Sequence, residues 1–159
     1  MTLSHLIDYL ITNHVKYECN VNLSEFTYFR TGGTAKIIIF PNTIDSFVLL
    51  IKEIKKLSFK FKIIGDTSNL LFLDNTSYSC LISIKFLNKI LFHNPYTFEA
   101  GCGVTLPNLS RFALQHDLSG FAGLEGIPGR LGGAIFMNAG AYGDEISDNL
   151  ISVDVLDTD

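Results

Sequence analysis

Glu125-Gly126-Ile127-Pro128-Gly129-Arg130-Leu131-Gly132-Gly133-Ala134, continued by Asn138-Ala139-Gly140-Ala141-Tyr142-Gly143, is the stretch whose reading decides the fold. Six of the 13 glycines lie between Gly126 and Gly143, with Gly123 just ahead. Inside a regular element glycine costs roughly 0.5–1 kcal/mol relative to alanine. Concentrating it makes sense where the backbone bends tightly or lies against a flat or phosphorylated ligand. A glycine-rich surface loop is the alternative. Ile127, Leu131, Ala134, Ile135, Phe136 and Met137 are set among the glycines, which points to a packed segment. The stretch reads as the wall of a cofactor site whose occupant it does not name.

Moving outward, Gly101-Cys102-Gly103 precedes Thr105, an N-cap for a helix with Pro107 in its first turn and Leu106, Leu109, Phe112 and Ala113 on its buried face. This G-x-G is not a dinucleotide fingerprint, because Leu106 stands where the third glycine belongs, and no G-x-x-x-x-G-K-[ST] occurs. Strand-like runs occupy 80–84, 89–92 and 97–100. Further back, Lys36-Ile37-Ile38-Ile39-Phe40, closed by Pro41, reads as a buried strand. Ile44, Phe47, Val48, Ile51 and Ile54 follow at helical spacing, with Asp45 early and Lys52, Lys55 and Lys56 late, as the helix dipole prefers. Residues 61–64 form a second strand, and the three elements make a βαβ unit with parallel strands.

Gly65-Asp66-Thr67-Ser68-Asn69-Leu70-Leu71 comes directly after that strand. Turns at the carboxyl ends of parallel strands commonly bind nucleotides, and backbone N–H groups with small polar side chains suit a diphosphate. An ordinary turn of Gly, Asp, Ser and Asn explains the same residues. At the amino end, Leu3, Leu6, Ile7, Leu10 and Ile11 mark an amphipathic helix, and 22–33 is an irregular segment ended by Gly32-Gly33. Downstream, residues 150–156 alternate like a half-buried strand.

Composition narrows the function. Hydrophobic content of 47% with 18% charged residues excludes a disordered chain. A net charge of −4 gives no electrostatic reason for nucleic acid as a partner. Cys19, Cys80 and Cys102 form no CxxC pair, so neither a disulfide framework nor a zinc site is expected, and reduced thiols suit a cytoplasmic protein. The amino terminus lacks a basic n-region, and no run reaches the roughly 18–20 apolar residues of a membrane span. His5, His14, His93 and His116 are scattered, so no metal is expected. Ser24, Ser68 and Ser110 lack a nucleophile-elbow setting. Glu125 and Asp144, the carboxylates nearest the glycines, read as loop-solvating or capping groups. Tyr142 packs either on a ligand or in the core, and Cys102 reads as a small residue in a tight turn.

Taken in order, four segments resemble the UDP-N-acetylenolpyruvoylglucosamine reductase (UDP-N-acetylmuramate dehydrogenase) family. They are Asn22-x-Ser24…Thr27-x-Phe29-Arg30-x-Gly32-Gly33-x-Ala35, Gly65-x-x-Ser68-Asn69-Leu70-Leu71, Gly101-x-Gly103, and Gly126 to Ala134 with Met137 to Gly143. The resemblance implies an α+β fold, a two-lobed FAD-binding domain of the vanillyl-alcohol-oxidase (PCMH) type. Residues 1–20 would be an N-terminal helix, 21–75 the first lobe, and 76–159 a second lobe that is truncated, with the substrate domain absent.

It also implies non-covalently bound FAD, reduced by NADPH, that passes hydride to a UDP-sugar substrate in cytoplasmic peptidoglycan synthesis. Gly65, Asp66, Thr67, Ser68, Asn69 and Leu70 would run along the FAD diphosphate. Gly101, Gly103, Ile127, Pro128, Gly129, Gly132, Gly133, Ala134, Asn138, Gly140, Ala141, Tyr142 and Gly143 would line the remainder, with Tyr142 close to the ring. The family's catalytic arginine, serine and glutamate are expected beyond Asp159, so no catalytic residue is expected here. The same holds for the last strands of the flavin lobe, leaving an open sheet edge after Val155 through which the chain associates. A naturally short flavin-binding or interaction protein without catalysis is the second reading. Two departures stand out. The family has Gly-x-Gly-Ser-Asn in the first loop where this chain has Thr67 before Ser68, and Arg130 replaces a small residue, either clashing with the cofactor or adding a phosphate contact.

Overall fold

The computed structural model describes residues 3–157. They form two compact units, one running to Phe86 and the other from Leu87 to Asp157. Both mix helix and strand, as an α+β chain should.

In the first unit the apolar run becomes β2 (Thr34–Phe40), with Ile37, Ile38, Ile39 and Phe40 all buried. A run without alternation is what a strand covered on both faces requires. β2 takes β1 (Lys16–Asn22) antiparallel on one side and β5 (Leu81–Ser83) parallel on the other. β3 (Lys62–Ile64) pairs in parallel with β5, giving the order β1-β2-β5-β3, while β4 (Ser77–Tyr78) pairs with β2. The expected βαβ unit is present as β2, α3 (Ile44–Lys56) and β3, but β5 lies between its two strands. That insertion ties residues 77–83 to the first unit. The break therefore follows Phe86, where the sequence reading set the lobe boundary at residue 75.

Local signals explain the helices. Thr43 Oγ1 accepts the Ser46 N–H at 3.1 Å while Ser46 Oγ accepts the Thr43 N–H at 3.2 Å, a reciprocal cap that starts α3. α3 buries Leu50, Ile51 and Ile54 and leaves Ile44 exposed, so its apolar face is turned from the line expected through Ile44 and Val48. α1 (Leu3–Thr12) buries Leu6 and Leu10. The helix expected over 1–20 therefore ends early, and 16–22 is an edge strand whose residues are mostly exposed. α2 (Leu23–Phe26) is a single turn whose cap, Asn22, accepts the Ser24 N–H at 3.2 Å. Leu23, Ala35, Ile38, Phe40, Ile64, Phe72 and Leu81 make the core beside it.

The second unit opens with a hairpin, β6 (Ile90–Asn94) and β7 (Thr97–Ala100). α4 (Leu106–Gln115) follows, capped by Thr105 as expected. After a 3-10 turn at Ala122–Leu124 come α5 (Leu131–Met137), the short hairpin β8 (Gly140–Ala141) and β9 (Asp144–Glu145), and α6 (Ile146–Asn149). Val104, Leu106, Leu109, Leu124, Leu131, Ala134 and Ile146 form its core.

The strand expected over 150–156 is not formed: residues 150–157 carry no strand, and Ile151 and Val155 are exposed. Alternation orders a strand only where a neighbour takes its N–H and C=O groups, and among the described residues none pairs with this segment. The open sheet edge expected after Val155 thus has no strand to form it. No described helix is long and apolar enough to cross a membrane.

The Gly32-Gly33 pair punctuates the first unit for two different reasons. Gly32 sits at φ +117° and gives its N–H to Asp74 Oδ1 at 2.7 Å. Gly33 has no room: a Cβ there would run into the Asp74 and Thr76 backbone. Gly33→Ala is therefore expected to cost about 2–4 kcal/mol of stability in denaturant unfolding, far more than one methyl on an open surface. A change under about 0.5 kcal/mol would show that the 74–76 backbone yields freely.

Candidate functional site

In the first unit β3 and β5 stop together, since Ile64 and Ser83 are register partners at their carboxyl ends. A cleft of about 300 Å³ opens there, lined by Phe26, Tyr28, Gly65, Asp66, Ser83 and Lys85. This is where a doubly wound sheet presents its ligand site. Of the loop read from sequence, Gly65 and Asp66 line the cleft, Ser68 is half-buried, and Asn69 and Leu70 are exposed.

Thr67 is different, being buried with a backbone φ of +60°. A β-branched residue in the left-handed region is an outlier, so something must hold it. Thr67 Oγ1 accepts the Tyr28 N–H at 2.9 Å, and the Thr67 carbonyl accepts the Leu70 N–H at 3.1 Å. The glycine that the family carries would suit this φ without strain, but could not make the side-chain bond. Tyr28, Ser83 and Lys85 were not singled out from sequence. The signal for Ser83 was available, because it sits at the end of the strand read over 80–84.

In the second unit the expected cofactor wall divides into builders and surface. Gly101 and Gly103 give their N–H groups to Lys89 and Leu87 carbonyls, both at 2.8 Å. Leu131 and Gly132 give theirs to Val104 and Cys102, again at 2.8 Å, and Leu106 donates to the Gly129 carbonyl at 3.1 Å. The Leu131 and Gly132 amides thus lace the two glycine segments together and, like those of Gly101 and Gly103, are satisfied within the protein. Arg130 Nη1 donates to the Gly103 carbonyl at 2.6 Å and joins the same segments. Ala134 is buried in the core and Ile127 packs against it. Asn138, left-handed at φ +45°, caps α5, donates to Glu145 Oε2 at 2.7 Å and accepts the Ser147 N–H at 3.1 Å. The carboxylates are structural too: Glu125 takes Arg111 at 2.7 Å, and Asp144 Oδ2 accepts the Gly123 N–H at 2.8 Å.

Pro128, Gly133, Tyr142 and Gly143 remain at the surface. Tyr142 is 97% exposed at φ +58°, and Gly143 at φ +94° completes the two-residue tip of the β8–β9 hairpin. Positive φ at both central residues is the pattern of a type I′ turn, which ordinarily selects Asn or Gly at the tyrosine position.

The glycines test whether a flat group fits. A Cβ at Gly101 or Gly140 would strike backbone, and Gly129 stands at φ +147°. Gly126 and Gly133 have neither reason, since a Cβ would meet nothing within 4 Å and neither is left-handed. Gly133 lies inside α5, where glycine costs about 1 kcal/mol relative to alanine. The chain gains nothing internal from it. Gly133 leaves one open, Cβ-free spot on α5 beside the exposed Phe136 and Met137, and such a spot fits the close approach of a flat group to the backbone.

Nothing nearby supplies metal or thiolate chemistry. Among the described residues no three His, Cys, Asp or Glu side chains gather to hold a metal. Burial pushes the Cys80 thiol up to about 12, and burial raises Cys102 as well, against hydrogen bonds from the Cys102 and Gly103 backbone.

Comparison with known proteins agrees with this geometry. Residues 35–159 match the family model described as FAD binding domain. The chain is 39% identical to a UDP-N-acetylenolpyruvoylglucosamine reductase of Petrotoga mobilis over 87% of its own length and 48% of the relative's. It is also 39% identical to the reductase of Lactococcus lactis subsp. cremoris, covering 88% of this chain and 46% of that one. The crystal structure of the reductase from Thermus caldophilus superposes with a TM-score of 0.67 at 29% identity, over 84% of this chain and 46% of that chain. An alkyldihydroxyacetonephosphate synthase superposes equally well, TM-score 0.67, at 16% identity, and so shares the fold. The chain spans about half the length of the curated relatives it matches.

Two outcomes check the site. Thr67→Ala, which removes the acceptor for the Tyr28 N–H, is expected to lose about 1–3 kcal/mol in thermal or denaturant unfolding, while Thr67→Ser retains most of the parent stability. Equal losses in both would mean that the methyl, not the hydroxyl, holds the loop. In the folded chain at pH 8, iodoacetamide is expected to modify the exposed Cys19 and spare Cys80, whose pKa of about 12 keeps it a thiol. Intact-mass spectrometry counts the adducts, and modification of Cys80 before unfolding would contradict the burial.

Proposed function

Because the chain belongs to the FAD-binding domain family, we propose that it is the FAD-binding portion of a UDP-N-acetylenolpyruvoylglucosamine reductase acting in cytoplasmic peptidoglycan synthesis. The observation that carries the reading is identity of 36–39% to proteins of that name across most of this chain. The geometry supports it through the cleft beside Gly65 and the open side of Gly133.

FAD held here would supply two-electron transfer chemistry between NADPH and the enolpyruvyl group of the UDP-sugar. The residues of this chain bind and orient. The 65–70 turn, stiffened by Thr67, holds the diphosphate. Gly133 gives the flat part of the cofactor a point of close approach to the backbone of α5. Tyr142, held out at the hairpin tip, offers a ring face to the flavin. Ser83, whose hydroxyl is buried at the end of β5, closes the floor of the cleft.

Titrating FAD into the chain while following quenching of flavin fluorescence tests the reading. Saturable binding is expected, and its absence would overturn it. Gly133→Ala separates ligand from fold, because the two expected effects have opposite signs. Stability should rise by about 0.5–1 kcal/mol, as alanine suits a helix better than glycine. FAD affinity should fall at least severalfold, since the added methyl stands in the cofactor's place. Unchanged affinity in a stabilised variant would remove α5 from the cofactor wall.

A further inference from the structure

The edge where β2, β5 and β3 end gathers two lysines over one pair of rings. Lys16 opens β1 opposite Phe40, the last residue of β2, and Lys85 lies two residues past β5. Lys85 Nζ is 4.3 Å from the centre of the Phe40 ring and 5.1 Å from that of Phe86. Lys16 Nζ is 5.5 Å and 5.9 Å from the same two rings. Lys16, largely exposed, is answered in part by Glu18 at 3.6 Å.

Lys85 is the half-buried member of the pair and lines the cleft beside Gly65. Ring faces fix its stem and ammonium group before any ligand arrives. A cation in this cleft favours a dianionic ligand. The chain carries a net charge of −4, and the loop beneath the diphosphate brings its own carboxylate, Asp66, into the cleft. A turn offers directional N–H groups but no full charge. A cation within a few ångströms of a diphosphate strengthens its hold, and Lys85 is the one cation among the cleft's lining residues.

We infer that Lys85 is the phosphate-positioning residue of the site, holding the diphosphate of the dinucleotide against the Gly65 turn by a charge-assisted contact. The inference rests on the reading that the chain binds FAD.

The test is FAD titration of the whole chain and of Lys85→Gln, Lys85→Arg and Asp66→Asn at several salt concentrations. Thermal melts identify any variant that fails to fold. Lys85→Gln is expected to weaken FAD binding about tenfold, equivalent to about 1.4 kcal/mol. It should also flatten the salt dependence, because a screened charge pair has been removed. Lys85→Arg should stay within about threefold of the parent, and Asp66→Asn should bind about two- to threefold more tightly. FAD affinity unchanged in Lys85→Gln overturns the inference and leaves the cofactor reading standing. So does a loss with unaltered salt dependence, which would place the effect in the Phe40–Phe86 floor. No FAD binding by the parent chain overturns the cofactor reading, and the role of Lys85 with it.

Discussion

Parallel pairing of β5 with both β2 and β3 is the constraint on which the first unit depends. It brings the ends of three strands, at Phe40, Ser83 and Ile64, onto one edge of the sheet. Parallel strands need crossovers, and here α3 and the 65–80 segment supply them. Every chain exit on that edge then becomes a loop over the strand ends, and those loops carry the groups that make the cleft. Burial enforces the arrangement: Ile38, Ile39, Leu81 and Ile82 are fully buried register partners. Moving β2 or β5 by one residue would swap its side chains between the two buried faces of the sheet.

The glycine-rich segment of the second unit follows a different logic. Its conspicuous glycines do three separate jobs. Some let backbone pass backbone, as Gly101 does against Leu87 and Gly140 against Asp144. Others supply a left-handed turn, as Gly129 and Gly143 do. Gly126 and Gly133 serve neither end and leave an open surface. Only this last group speaks of a ligand. The first two explain why the segment folds at all, since the amides of Leu131 and Gly132 join one glycine segment to the other while those of Gly101 and Gly103 tie the first of them to Lys89 and Leu87.

Much of this was legible in the sequence, and the limits have physical causes. The run Ile37-Ile38-Ile39-Phe40 announced a strand buried on both faces, and Thr105 with Pro107 announced α4, because each signal is local. The order of family-like segments announced the cofactor class. β1 was not visible, because an exposed edge strand such as Lys-Tyr-Glu-Cys-Asn-Val-Asn shows no apolar alternation. The insertion of β5 between β2 and β3 was hidden as well, since sheet order is a long-range property. Residues 150–156 erred the other way: their alternation is real, but pairing needs a neighbour. At the site, the glycines were legible as a group and not as individuals, because only the backbone tells crowding from open space. Lys85 was missed because a single lysine after a strand gains meaning only when Phe40 and Phe86 are seen beneath it.

Thr67 and Tyr142 show how strain is used in each unit. Both are non-glycine residues at positive φ within segments assigned to the cofactor, and each costs on the order of 1–3 kcal/mol relative to relaxed backbone. For Thr67 the compensation is visible in its bond to the Tyr28 N–H and its burial. That bond fastens the turn to the segment after α2, so the turn is ordered before a ligand meets it. A glycine in its place would relax the backbone and also free it, and each residue ordered on binding opposes affinity by roughly 1 kcal/mol or more. Threonine at this position therefore exchanges intrinsic backbone ease for pre-organisation. The departure from the family's glycine is consistent with a diphosphate loop because the constraint it introduces acts on the entropy of the loop and adds no bulk to the cleft, whose lining excludes Thr67.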